Sequence, residues 1–358
     1  MKLLVLGGGA QGRVIASDLA RSLPNAAVTV ADLRRPDLPA LPNLGFVEAD
    51  ASDATALARL ISGFDLAVGA LPSRFGFGAM RAAIDAKRNL VDVSFAAEDP
   101  LSLDEAARAA GVTIAPDCGL APGLSHLLAG DLFARHGAPA RLEILVGGVA
   151  QDASRPYGYV VTWSLDDLVE EYTRPARIVR GGRPVELPVF SELAREEVEG
   201  AGVMESFLSD GLRTLITTLP GVDAMEEKTL RWPGHVAQVK PLVESGRFLE
   251  EFRAKCVAEP PADLVALVVR ARWADGRARA ITMVDRYDPV SRLTAMARTT
   301  AFTTSVMAQL VTAGGVRAKG VVPPERIAQH PEATKFVIDA MAQRGVRFHH
   351  ANGGAKQA

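Results

Sequence analysis

Apolar residues recur along the first third of the chain in two alternating rhythms. Solid runs over 3–6, 28–31, 45–48, 66–70, 90–93 and 112–115 are too brief for helices and read as buried strands. Between them, apolar positions fall at helical intervals over 10–22, 53–62, 75–87 and 101–110. This alternation predicts a doubly wound parallel sheet with helices on both faces, an α/β fold. Past residue 142 the rhythm changes. Strands are expected over 142–149, 184–190, 228–232 and 266–273, with Gly181-Gly182 marking a turn. The last strand is rich in valine and meets 278–284 across Ala274-Asp275-Gly276, a hairpin signal. Such spacing predicts an antiparallel or mixed sheet, hence an α+β region. Helical periodicity then returns over 291–311 and 332–344.

The reading is an N-terminal doubly wound domain interrupted by an inserted second domain, with the C-terminal helices returning to the first. Expected boundaries are 1–136 with 290–350 for the first domain and 137–289 for the insert. A frayed tail is expected over 351–358.

The first strand runs into Gly7-Gly8-Gly9-Ala10-Gln11-Gly12. The spacing Gly7-x-Gly9-x-x-Gly12 between a strand and a helix is the setting in which a dinucleotide fingerprint has meaning. Gly7 makes the tight turn, Gly9 admits a pyrophosphate to the backbone, and Gly12 lets the helix sit close on the strand. With Ala10 and Gln11, the helix N-terminus offers unpaired N–H groups to the phosphates. The second strand ends in Asp32, whose carboxylate would bond an adenosine ribose and repel a 2′-phosphate, favouring NAD. Arg34 and Arg35 follow directly and leave NADP open. Asp50 and the turn Ala70-Leu71-Pro72, at the carboxyl edge of the fourth strand, complete the expected cofactor residues. A glycine turn without a ligand is the plain alternative.

Composition narrows the class. A chain of 358 residues with 48% hydrophobic content can bury two cores. Net charge of −2 argues against nucleic acid as the main partner. No apolar stretch is long enough for a membrane span, and the first apolar run begins a strand rather than a signal peptide. Cys118 and Cys256 form no disulfide framework, and the six histidines show no metal-ligand spacing. A reduced cytoplasmic protein without a metal is expected.

Three residues are candidates for catalysis: Asp117, Cys118 and His235. Asp117 and Cys118 lie in Ala115-Pro116-Asp117-Cys118-Gly119-Leu120-Ala121-Pro122-Gly123-Leu124-Ser125-His126, which follows a strand at the edge where functional loops sit. Asp117 can orient a substrate ammonium or take its proton, or simply cap the helix entry. Cys118 also reads as a small buried filler, and His126 as a core or supporting group. Pro122 suits the first helical turn. His235, in a turn-rich stretch, can act as acid or base near neutral pH or hold structure. Tyr172, Arg174, Arg213 and Arg231 are the substrate candidates. An arginine fork grips a carboxylate bidentately, as an amino-acid substrate requires, although solvation explains most single arginines.

At these residues the chain resembles the saccharopine dehydrogenase family, in particular its lysine 6-dehydrogenase-like branch. The matching pieces are the glycine turn, VDVS at 91–94, APDCGLAPGLSHLLAG at 115–130, WSLDDLVEEYTRPARIVRGG at 163–182, DGLRTL at 210–215, TLRWPGH at 229–235 and ARTTAF at 297–302. The resemblance implies that the first domain is a dinucleotide-binding Rossmann domain and the insert a substrate-binding and dimerisation domain, with a homodimer or larger assembly and NAD(P)-dependent oxidation at a carbon bearing an amino group. For that branch the reaction is oxidative deamination of the ε-amine of L-lysine. Its product, 2-aminoadipate 6-semialdehyde, cyclises to piperideine-6-carboxylate. The substrate is thus a small amino acid or amine, with Arg213 or Arg231 on its carboxylate and Asp117 or His235 as base. Reductive condensation of an aldehyde with an amine, as in saccharopine reductases and carboxynorspermidine dehydrogenases, is the first alternative. A regulatory module that binds NAD without turnover is the second.

Overall fold

The protein's structure, a computed structural model, describes residues 1–353. It forms two compact units, Met1–Leu124 with Thr300–Arg344, and Ser125–Thr299 with the chain from Gly345 onward.

The first unit opens with β1 (Lys2–Leu6), α1 (Ala10–Ser22), β2 (Ala27–Asp32), β3 (Leu44–Glu48), α2 (Ala54–Ser62), β4 (Leu66–Gly69), α3 (Ser73–Asp85), β5 (Asn89–Asp92), α4 (Asp104–Ala110) and β6 (Thr113–Ala115). These strands are all parallel, in the order β6-β5-β4-β1-β2-β3. Leu3, Leu4 and Val5 are each 0% exposed, because a central strand covered on both faces must be apolar throughout. The chain winds outward from β1 to β3, then crosses back to β4. Strand order therefore reverses between β1 and β4, where a crevice opens at the carboxyl ends. Asp53 caps α2 by accepting the amides of Thr55 and Ala56 at 3.0 and 2.9 Å.

The second unit contains α5 (Leu124–His136), whose first residue closes the first unit, then β7 (Arg141–Ala150), α6 (Leu165–Thr173), β8 (Ala176–Arg180), β9 (Arg183–Leu187), β10 (Ala194–Val198) and β11 (Gly202–Leu208). There follow α7 (Leu215–Thr218), β12 (Ala224–Arg231), α8 (His235–Glu244), α9 (Phe248–Lys255), β13 (Asp263–Arg272) and β14 (Ala278–Arg286). The sheet is mixed: β12 pairs parallel with β7, and the other pairs are antiparallel. The expected β13–β14 hairpin forms. Aromatic packing dominates one core, where Tyr159, Tyr172, Phe207, Phe248 and Phe252 come together. Strands β8, β10 and β11 were not expected. β10 reads Ala-Arg-Glu-Glu-Val, a charged segment without an apolar run, and its pairing with β11 makes it a strand.

The chain then continues through α10 (Ala295–Thr312), β15 (Gly320–Val321), α11 (Pro324–Ile327), α12 (Pro331–Gln343) and β16 (His349–Gly353). β15 adds to the free edge of β6, giving the first sheet seven strands. The division between units falls at Leu124 and inside α10, not at 136 and 290, so residues 125–136 and 290–299 belong to the insert. The frayed tail is corrected in part. Residues 351–353 are strand, because β16 supplies partners to the otherwise open edge of β14. Residues 354–358 lie outside the described residues.

Candidate functional site

The glycine turn joins β1 to α1 and is held by contacts that tolerate no side chain at two of its glycines. Gly7 has φ +96°, and a Cβ there would stand 2.5 Å from the Ala70 carbonyl oxygen. A Cβ on Gly12 would stand 1.9 Å from the Gly7 carbonyl oxygen. Gly9 differs, for it is exposed and a Cβ there meets nothing within 4 Å. The first two glycines therefore shape the turn, and the third leaves room above it. Asp32 reaches across from β2, where its Oδ2 accepts the Gly8 amide at 2.6 Å and its Oδ1 the Arg34 amide at 3.2 Å. The carboxylate is thereby fixed at the rim of the turn. The buried Oε1 of Gln11 finds no donor, and α1 begins at Ala10 without a side-chain cap. Open space, uncapped amides and a fixed carboxylate fit a dinucleotide. Opposite Gly7 stands the Ala70-Leu71-Pro72 turn; Ala70 and Leu71 are half-buried and Pro72 is exposed. Asp50 is exposed and accepts the Ser52 amide at 2.8 Å, bracing its own turn, and the Ser52 backbone and hydroxyl hold its carboxyl below the usual range.

Two residues behind this edge, Asp92 and Ser94, lie in the VDVS piece at 91–94 but were given no role in the sequence reading. The Ser94 amide donates to Asp92 Oδ1 at 2.8 Å, as does its hydroxyl. A Cβ on Gly69 would stand 1.8 Å from Asp92 Oδ2, and one on Gly76 would stand 1.8 Å from Ser94 Oγ. The two glycines flank the β4–α3 turn and make room for this buried pair. The Asp92 carbonyl accepts the Cys118 amide at 2.7 Å, which ties the end of β5 to the next loop. Glycines 69 and 76 were the available signal.

Asp117 and Cys118 are both 0% exposed, and Asp117 has φ +56°. The Cys118 thiol lies 3.4 Å from the carbonyls of Ala115 and Pro116. Burial, reinforced by the carboxylates of Asp117 and Asp92, pushes it well above the usual thiol range. A protonated thiol without exposed surface is a poor nucleophile, so Cys118 is corrected to a packed residue. Pro122 does not begin the helix: the Ala121–Pro122 bond is cis, and α5 starts at Leu124. His126 bonds Ser125 Oγ through Nδ1 and the Leu212 carbonyl through Nε2, at 3.0 and 3.1 Å, a supporting role within the second unit.

Five of the expected chemical residues lie in the second unit, and three of them, Tyr172, Arg231 and His235, bond one another. Tyr172, at the end of α6, is 0% exposed. Its Oη accepts from Arg231 Nε at 2.6 Å and lies 2.8 Å from His235 Nε2. His235 Nδ1 lies 2.7 Å from the Tyr157 carbonyl. A carbonyl can only accept, so Nδ1 carries the proton and Nε2 accepts the Tyr172 hydroxyl. Burial, with the charge of Arg231 nearby, pulls His235 down to about 3. A neutral ring with both nitrogens engaged is not a base near neutral pH. Arg231 is 2% exposed and pairs with Glu171 Oε1 at 2.8 Å. Burial opposes its charge, but Glu171 and Tyr172 hold it above the ordinary arginine value. This guanidinium is engaged inside the unit by Glu171 and Tyr172. Arg174 pairs with Glu170 at 3.3 Å and approaches Asp210 at 3.8 Å. Arg213 is buried at 8% exposure in left-handed backbone, φ +44°, beside the buried Thr214. Glu171 and Glu227 were missed, as nothing in their sequence setting marks them.

No group of three or more His, Cys, Asp or Glu is placed to hold a metal among the described residues. Likewise, no helix there is long and apolar enough to cross a membrane.

A doubly wound sheet with this crevice defines a dinucleotide-binding protein. Residues 3–115 match the family model of the saccharopine dehydrogenase NADP-binding domain, and residues 119–346 match that of the saccharopine dehydrogenase C-terminal domain. The chain belongs to the saccharopine dehydrogenase family, and its first unit binds NAD(P). It is 24% identical over 226 residues to the NADP⁺-dependent, L-glutamate-forming saccharopine dehydrogenase of Pyricularia oryzae, covering 57% of this chain and 48% of that protein. Against the Schizosaccharomyces pombe protein of the same name it is 25% identical over 258 residues, covering 64% and 55%. The chain thus spans about half the length of the curated relatives it matches. Among solved structures, apo L-Glu-forming saccharopine dehydrogenase from Saccharomyces cerevisiae matches with TM-score 0.76 at 18% identity, covering 98% of this chain and 99% of that one. The NAD complex of homospermidine synthase from Legionella pneumophila matches with TM-score 0.70 at 12% identity, covering 99% and 92%. Both share the fold.

Proposed function

We propose that the protein is an NAD-dependent oxidoreductase that removes the ε-amino group of L-lysine. The observation that carries the coenzyme half is Asp32, fixed by the Gly8 amide at 2.6 Å where an adenosine ribose would bond it. The family supports the amine half, since its named members act on saccharopine or form α-aminoadipic semialdehyde. The balance is lysine ammonium, NAD⁺ and water giving 2-aminoadipate 6-semialdehyde, ammonium, NADH and a proton. Bound NAD⁺ supplies the hydride acceptor. The amine must lose a proton before its carbon can release hydride, and an unperturbed lysine, with pKa about 10.4, resists that at neutral pH. Asp117, in the loop after β6, is the candidate that takes the proton. Arg213 is the candidate that holds the α-carboxylate. Two free, buried cysteines suit a reduced, cytoplasmic setting. A homodimer or larger assembly accompanies this reading and is checked by light scattering.

The test is incubation of the purified protein with lysine and NAD⁺, reading NADH absorbance and released ammonia. Both should rise together, and more slowly with NADP⁺. The second reading, reductive condensation, is favoured by the saccharopine names of the relatives. Oxidation of NADPH by the semialdehyde plus glutamate, with no NADH from lysine, would establish it instead. A regulatory NAD-binding module would bind coenzyme and turn over neither mixture.

A further inference from the structure

We propose that Glu227, with Glu171 and Asp210, forms a site in the second unit for a primary ammonium group, the one on the substrate that does not react. This rests on the amine-oxidising reading above and deepens it.

Alternation along β12 puts Glu227, Thr229 and Arg231 on one face and Glu226 and Lys228 on the other. On the second face charges balance: Glu226 is met by Arg141, Arg180 and Lys228. On the first face, where Arg174 also approaches Asp210 at 3.8 Å, one carboxyl is left unmet. Glu171 takes Arg231 and the Thr229 hydroxyl, each at 2.8 Å. Asp210 takes Arg177 through Nε and Nη2, both at 2.8 Å. Thr229 and Ser209 hydrogen-bond each other at 2.9 Å. Glu227 is 5% exposed, and its Oε2 finds no donor at all.

The position of this carboxyl is built into the loop beside it. A Cβ on Gly211 would stand 1.6 Å from Glu227 Oε1 and 2.4 Å from Oε2, so only glycine admits the group. A buried acceptor left without a donor costs about 1–3 kcal/mol, which a fold retains where a ligand completes it. Once Glu227 is ionised, the missing partner is a compact cation with several donors. An ammonium is that, whereas a planar guanidinium needs a fork of facing acceptors. Glu171 is the member that reaches solvent, with its side chain 20% exposed. Without a ligand the surplus charge is met by a proton. Burial first, then Glu171 and Asp210, push Glu227 up to about 8. An arriving ammonium therefore displaces that proton at pH 7.

The test titrates n-butylammonium chloride into the full chain by calorimetry at pH 7, with NAD⁺ present, in two buffers of different ionisation heat. We expect binding with close to one proton released per site and none with n-butanol. Glu227→Gln matches the shape of the protonated carboxyl and should unfold at or above the wild-type temperature. It should bind n-butylammonium at least about tenfold more weakly and release no proton. Glu227→Asp should keep the release and bind at intermediate strength. Absence of butylammonium binding, or an unchanged affinity in Glu227→Gln, overturns the site. Failure of the functional reading looks different: butylammonium binds through Glu227, yet no amine reduces NAD⁺. Lysine oxidation that is unimpaired in Glu227→Gln defeats this site alone.

Discussion

Gly9 and Gly12 sit three residues apart in one motif yet should fail in opposite ways. Space around Gly9 is open, so Gly9→Val should fold with a melting temperature near wild type and lose NAD⁺ binding, because its side chain fills the place of the diphosphate. Gly12→Val drives a Cβ to 1.9 Å from the Gly7 carbonyl and should destabilise the first unit by several kcal/mol, about 3 or more. Thermal unfolding and coenzyme titration of both variants separate the two roles; equal stabilities would contradict this division. His235 gives a second residue-level expectation. Its folded pKa, about 3, lies below the ordinary 6.5, so the fold prefers the neutral ring. That stability is present above pH 6.5 and is lost as pH falls, by about 2 kcal/mol at pH 5. Urea unfolding of His235→Gln should lack this share of the acid loss. The glycines were legible in sequence because their spacing records backbone geometry. The surroundings of Arg231 and His235 were hidden because their partners, Glu171 and Tyr172, lie about 60 residues upstream and come together only in the fold. Glu227, one charge in an alternating charged strand, carries no mark of its burial.

At the level of elements, what sequence revealed depended on how fully each element is buried. The parallel strands of the first unit are apolar throughout and stood out as solid runs. β10 and β8 draw their identity from neighbours, so propensity alone hides them. The start of α10 was placed at 291 instead of Ala295, since its cap comes from a distant strand. Asp263, on β13, accepts the Ala295 amide at 2.6 Å and the Met296 amide at 2.9 Å. A carboxylate at a helix N-terminus satisfies orphan donors and the helix dipole. Burial nevertheless outweighs those amides and pushes Asp263 up to about 6 from an ordinary 3.8. A raised carboxyl stabilises the fold below pH 3.8, and that contribution is lost as pH rises through 6. The loss amounts to about 3 kcal/mol. Comparing urea unfolding of wild type and Asp263→Asn from pH 4 to pH 7 isolates this share. The difference should shrink steadily over that range in the direction that favours the variant; a constant difference would show that Asp263 is ionised throughout.

For the whole molecule, the first unit is assembled from segments separated by the entire insert, and this was visible only as a return of helical periodicity near the end. Three of the contacts that close it stand out. β15 pairs with β6, Ser305 Oγ donates to Asp18 Oδ2 at 2.6 Å, and Arg344 grips both oxygens of Asp18, 326 positions away, through Nε at 2.9 Å and Nη2 at 2.8 Å. The Arg344 and Asp18 side chains are only 12% and 13% exposed. Exposed ion pairs such as Lys240–Glu244 contribute little, at most about 1 kcal/mol. Removing one partner of a buried pair instead strands the other, at about 3–5 kcal/mol. Arg344→Ala should therefore lose about 3 kcal/mol in denaturant unfolding, whereas Lys240→Ala should lose less than about 1. Because NAD⁺ binds only the folded first unit, a hundredfold excess over its dissociation constant should return about 2.7 kcal/mol to the variant. Hydrogen exchange should then show protection regained in peptides from both 1–124 and 300–344, since neither segment holds the sheet alone. If Arg344→Ala unfolds like wild type, or NAD⁺ protects the N-terminal peptides while those from 300–344 exchange freely, the closing pair is not what joins the two ends into one coenzyme-binding unit.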